Sequence, residues 1–229
     1  MEYLIKSTAV IVLFYIIYKL LLQRDTFFEN SRWFLILGIL GAFIIPFIII
    51  PIYITIEPQN THNYITGNFI FNESTSNTIE SSYNWSQLLT SIYFLGVVIF
   101  SIRLCIQFFS LTSLLFRHKK YRSGKFIFVE VNDNISPFSF FNWIVFNPEQ
   151  FKKEELDQII THEKVHASQL HSLDILFTQL VCSIFWFNPL MWLYRNDIRQ
   201  NLEYIADHKT QSNTNPTKEY QHLLLKTSV

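Results

Sequence analysis

The stretch IITHEKVHASQLHSLDILFTQLVCSIFWFNPLMWLY, residues 159–194, decides how the rest of the chain folds. Its first part spaces His162, Glu163 and His166 as H-E-x-x-H, which on a helix puts two imidazoles on one face with a carboxylate beside them. Such a pair can reach one ion from adjacent turns, and Glu163 is then placed to take a proton from water activated there. Its second part, 173–194, is apolar enough to cross a bilayer once. A single crossing would put everything after residue 194 on the opposite side from the histidines. Asp174 at its start and F-N-P at 187–189 favour two shorter helices that dip in and return, or lie along the interface.

The return matters because NLEYIADHKT, residues 201–210, offers a third ligand. A catalytic zinc takes three protein ligands and keeps one position open. Glu203 is the candidate ligand. Asp207, four residues on, is placed to hold a ligating imidazole by its other ring nitrogen. Read alone, the pair is an ordinary solvated helix face; H-E-x-x-H gives it its meaning. Zn2+, one per chain, is the expected cofactor.

Upstream, three apolar runs have the length of bilayer spans: about 3–22, 33–56 with Pro46 and Pro51, and 88–109. The loop at 57–87 carries Glu57, Glu73 and Glu80 but no Lys or Arg, whereas RHKKYRSGK (117–125) follows the third run and Arg24 and Arg32 follow the first. The positive-inside rule then sets the 57–87 loop outside and both basic loops in the cytoplasm. The chain divides into a transmembrane region, 1–111, and a cytoplasmic-face module, 112–229, containing the hydrophobic hairpin 173–194. In that module KFIFVEV (125–131) and FSFFNWIVF (138–146) read as the strands of a hairpin around NDNISP. A helix at about 149–170 follows, with Asn147 as N-cap and Pro148 at its first position. The fold expected is a mainly α membrane protein with a small α+β module.

The composition, 49% hydrophobic and 17% aromatic with zero formal net charge, supplies no global basic field, so direct nucleic-acid binding is not expected. Cys105 and Cys182 lie in apolar runs and read as buried or lipid-facing hydrophobes. A transporter is poorly supported, since no ionisable pair lies at the centre of the first three runs.

The run THEKVHASQLHSLDILFTQL…FWFNPLMWLYRNDIRQNLEYIAD, preceded by ISPFSFFNWIVFNP, resembles the membrane-embedded zinc peptidases of the BlaR/MecR type, most of all the short members common in Bacteroidetes. The resemblance covers essentially the whole chain. It implies a gluzincin-type site with His162, His166 and Glu203 on zinc, Glu163 as general base, and a multi-pass protein of the bacterial cytoplasmic (inner) membrane with its active site on the cytoplasmic side. In signalling members an outside event triggers proteolysis of the protein itself or of a cytoplasmic repressor. Members generally continue into a further transmembrane helix and a C-terminal module, whereas this chain ends at EYQHLLLKTSV; no S-x-x-K occurs, so penicillin-type sensing is not carried over.

His171 and Asp174 match the short members. On a continuous helix His171 lies off the ligand face, leaving it to stabilise an oxyanion, bridge to Asp174, or be an interfacial polar group. Tyr204 and His208 flank Glu203 and are candidate donors to the tetrahedral intermediate. Zinc peptidases hold substrate extended, so the segment with Ser136, Phe138, Ser139 and Phe140 is a candidate edge for a peptide to pair with, or else an apolar hairpin packed on the core. Expected partners are the lipid bilayer and a protein or peptide substrate, with a homodimer left open. The competing class is a non-catalytic membrane transducer or scaffold; a structural zinc site would have four ligands and no use for Glu163.

Overall fold

The first apolar run forms one rod: α1 (Glu2–Ile17) passes through a π-turn, Tyr18–Leu22, before the chain bends back into α2 (Phe28–Ile44). The computed structural model describes residues 2–48 and 85–213. The Tyr3 hydroxyl donates to Phe43 O at 3.0 Å, so α2 runs antiparallel to α1. A 3-10 turn, Ile45–Phe47, follows at Pro46, which has no N–H for the helical ladder. Pro51 and the loop through residue 84 lie outside the described residues.

Next comes α3 (Trp85–Arg117), longer at both ends than the expected 88–109. Its 33 residues span about 50 Å against a hydrocarbon core of about 30 Å. The surplus has an apolar partner. Leu115 packs with Val129 and Val145 of the sheet and with Val131 just beyond it, and Phe116 meets Trp143 edge-on. Glu2–Leu22, Phe28–Phe47 and Trp85–Arg117 are each long and apolar enough to cross a membrane.

The sheet corrects the hairpin expected of 125–131 and 138–146. Its strands, β1 (Lys119–Ser123), β2 (Phe126–Glu130), β3 (Phe138–Phe140) and β4 (Trp143–Phe146), lie in the order β1-β2-β4-β3. β2 pairs antiparallel with β1 and parallel with β4, while β3 and β4 form their own hairpin. Gly124, at φ +61°, makes the first tight turn; Phe141, at φ 52°, makes the second, and its N–H donates to Ser172 Oγ at 2.8 Å. A left-handed phenylalanine is strained, and that anchor helps hold it.

α4 starts at Lys153, later than the sequence predicts. Asn147 is not its cap: its Oδ1 accepts the Glu149 N–H and its amide donates to Asp133 O, which organises a turn instead. The Lys152 N–H donates to the Glu155 carboxylate. The helix stops at Ser168. Leu170, at φ 55°, redirects the chain into α5 (His171–Ile184). At 14 residues α5 is about 21 Å long, too short to cross. Asn188 then caps α6 (Pro189–Asn213) through its Oδ1 and the Leu190 N–H, with Pro189 at the first helical position.

α5 and α6 form a hairpin folded against the first two helices. Phe43 meets Phe185 at the hairpin tip; on the way back the Tyr194 hydroxyl donates to Leu35 O at 2.6 Å and the Asn201 amide to Phe28 O at 2.8 Å. So α6 ends beside the start of α2. One core joins Ile11, Tyr15, Leu35 and Ile39 to Cys182, Phe185, Met191, Tyr194, Ile198 and Leu202, drawing on both sides of the boundary placed at residue 112. Gly38 is required for this approach, since a Cβ there would lie 2.5 Å from the Tyr194 oxygen. Gly96 on α3 likewise leaves room for the Trp186 ring.

Candidate metal centre

Because α4 is unbroken through Ser168, His162 and His166 stand one turn apart on one face, and α6 packs across that face to deliver Glu203. The two Nε2 atoms are 3.0 Å apart and each is 3.4 Å from Glu203 Oε2. Atoms at tetrahedral corners with metal bonds of about 2.0–2.1 Å stand about 3.3–3.4 Å from one another. The triangle therefore has the size a zinc-like cation needs. Both imidazoles are 12% exposed and Glu203 is 49% exposed, so the face opens to solvent on the α6 side.

The outer nitrogens show what the inner ones present. His162 Nδ1 lies 3.1 Å from Asp207 Oδ1, so the ring donates there. Its Nε2 is left facing the triangle. His166 Nδ1 is 2.8 Å from His171 Nδ1, and His171 Nε2 is 3.1 Å from Gln169 Oε1. Burial, with the His166 ring and Arg32 nearby, pulls the His171 pKa down to about 3, so this ring is neutral. Two imidazole nitrogens and a carboxylate oxygen thus converge on one point.

The charge balance agrees. Burial pulls the His162 pKa down, but hydrogen bonds to Asp207 and Glu203 and the charge of Glu163 outweigh it and lift the value to about 10. Burial raises the Glu203 carboxyl, and its contacts with His162 and His166 more than reverse that, holding it well below the usual carboxylate range. The pocket favours positive charge, whether proton or metal. Glu163 is buried beside His162 on α4.

The other candidates scatter. Asp174 does not meet His171; its Oδ2 pairs with Arg32 Nη2 at 2.7 Å, and burial raises its carboxyl while Arg32 opposes this. The Tyr204 ring packs on Phe28 and its oxygen accepts from Gln200 at 2.6 Å; His208 meets Phe28 edge-on. β3, with Phe138, Ser139 and Phe140, is an edge strand of the sheet and packs against α4, while Ser136 is exposed just ahead of it.

The model of the BlaR1 peptidase M56 family matches residues 1–229. The chain belongs to this family. No curated protein matches the chain. Membership of the M56 family and the three long apolar helices make it a membrane-associated metallopeptidase-like protein, of a family that typically depends on a metal.

Sequence reasoning did not reach Arg32 and Gln169, which hydrogen-bond to each other beside His171, nor the Lys19–Asp197 ion pair at 2.9 Å that ties the π-turn to α6. The available signal was a charged residue at the end of an apolar run, which needs a partner inside the bundle.

Proposed function

We propose that this chain is an integral membrane zinc metalloendopeptidase of the bacterial cytoplasmic membrane, with its active site at the cytoplasmic face. The observation that carries the reading is the triangle of His162 Nε2, His166 Nε2 and Glu203 Oε2. Zinc, when held there, supplies Lewis acidity that polarises water and a peptide carbonyl. Glu163 is the base that takes the proton from the attacking water and passes it to the leaving amine. Asp207 keeps the His162 lone pair turned inward. β3, as an edge against α4, offers backbone groups on which an extended peptide can lie.

Charge and length support this sidedness. The 57–87 loop has no Lys or Arg, and five basic residues lie at and just after the end of α3, between 117 and 125. The α5–α6 hairpin is re-entrant: its outer side exposes Leu173, Leu180, Phe187 and Leu193, as a lipid-facing surface does. A reporter fused after residue 200 is expected to read as cytoplasmic; a periplasmic reading overturns the topology. The biological role fitting such a site is signalling by cleavage of the protein itself or of a cytoplasmic regulator such as a repressor. For the chemistry, Glu163→Gln should keep its zinc and lose about 10²- to 10⁴-fold in cleavage of a quenched fluorescent peptide library. Full cleavage by that variant would remove Glu163 as the base.

A further inference from the structure

We propose that Arg32 of α2 is a positioning residue for the metal site. It acts through Gln169 and His171 to keep the lone pair of His166 Nε2 turned toward the ion. The inference rests on the metallopeptidase reading above and adds a link between a membrane helix and a zinc ligand.

The link is a chain of four groups whose donor and acceptor roles follow from one fixed point. Arg32 Nη1 lies 3.2 Å from the Gln169 side-chain oxygen, and Nη2 lies 3.0 Å from the Gln169 backbone carbonyl. A guanidinium has donors and no acceptor, so it fixes the amide with its oxygen toward Arg32. The same oxygen faces His171 Nε2 at 3.1 Å, so that nitrogen carries the proton. An imidazole that carries its proton on Nε2 accepts at Nδ1, and 2.8 Å away His166 Nδ1 is the donor to it. His166 is thereby left with its lone pair on Nε2, inside the triangle.

Without Arg32 every step can reverse. The Gln169 amide can turn its NH2 toward His171 Nε2; His171 Nδ1 then donates to His166 Nδ1, and the His166 proton moves to Nε2, where it blocks the ion. His162 has no such alternative, because the Asp207 carboxylate only accepts. Leu170 makes the arrangement possible, since its left-handed backbone turns His171 back over His166. Arg32 is itself held by Asp174 at 2.7 Å, and both side chains are nearly enclosed, at 15% and 11% exposure. A movement of α2 away from the α4–α5 corner would therefore release the amide and weaken the metal site.

The test uses the detergent-purified full chain, with zinc affinity read by chelator competition and geometry by the visible spectrum of the cobalt(II)-substituted protein. Removing Arg32 alone would leave Asp174 buried and unpaired, so the variant is Arg32→Met with Asp174→Asn, its fold checked by size exclusion. Zinc affinity should fall by up to about 10-fold, the lower end of the cost of losing an orienting partner. Adding Gln169→Glu, which presents only acceptors to His171, should restore most of the loss and the cobalt spectrum. Wild-type affinity in the folded double variant overturns the inference while leaving the metal site standing. A loss that Gln169→Glu does not repair shows that Arg32 acts by packing alone and overturns it as well. Absence of zinc binding in the wild type overturns both this inference and the peptidase reading.

Discussion

The two histidines of the site are supported from opposite sides and by unlike devices. On the α6 side, one helix carries both the proposed ligand Glu203 and the acceptor Asp207 for His162, so a single packing contact between α4 and α6 sets both. On the α4–α5 corner, His166 is linked to His171, Gln169 and Arg32, which come from the start of α5, the turn between α4 and α5, and α2. The first device is compact and has one state. The second, as proposed, has two, and the Arg32 guanidinium selects between them.

Breaking the α6 side should cost more. Asp207→Leu removes the acceptor from a buried imidazole, and zinc affinity is expected to drop about 100-fold, the upper end for an orienting partner. Competition with a chromogenic chelator would measure it. His171→Leu should lose closer to 10-fold. His171→Asn, which can set an amide oxygen near the Nδ1 position, should stay within a few-fold of wild type. If the two His171 variants bind zinc alike, the corner contributes shape and no acceptor.

That asymmetry also decides what could be read in advance. The α6 side is legible because helical spacing encodes it: H-E-x-x-H and E-x-x-x-D each place two groups on one face, and a hydrophobic hairpin interrupted by F-N-P brings them together. The corner is not legible. Nothing in HASQLH marks Leu170 as left-handed, since that conformation usually calls for Gly or Asn, and a continuous helix would carry His171 away from His166. The order of the sheet is hidden for a related reason. Lys119–Ser123 has every side chain exposed and so lacks the alternation that marks a strand, and the turn at Phe141–Asn142 lacks glycine, so 138–146 read as one strand where two are folded.

Proton and metal should compete on the α6 side. The His162 pKa is raised in the metal-free protein, so its charged form stabilises the fold fully below the unfolded value of about 6.5. That contribution is lost as pH rises through about 10. Metal-free protein should therefore melt several degrees lower at pH 10.5 than at pH 7.5, and Asp207→Asn should shrink the difference. Zinc-loaded protein should show less of it, because the ion takes the place of the proton. Scanning calorimetry with and without a chelator would check both. Equal pH dependence with and without zinc would place the titrating group elsewhere.

The smallest effect belongs to the backbone of the corner. Leu170→Gly removes a left-handed penalty of about 1–2 kcal/mol from a half-exposed residue, so the melting temperature should rise by a few degrees, with zinc affinity unchanged. Leu170→Val should lower both, because a β-branched residue resists that backbone and would straighten the corner.

The proposed metal site stands or falls with the return of α6 to α4, which lets Glu203 complete the ligand set. Zinc content of the detergent-purified chain by plasma mass spectrometry, wild type against Glu203→Ala, tests it directly, with size exclusion reporting the fold of each. Close to one zinc per wild-type chain is expected, largely lost from a folded Glu203→Ala. Zinc retained at wild-type content in that folded variant would contradict the three-ligand site.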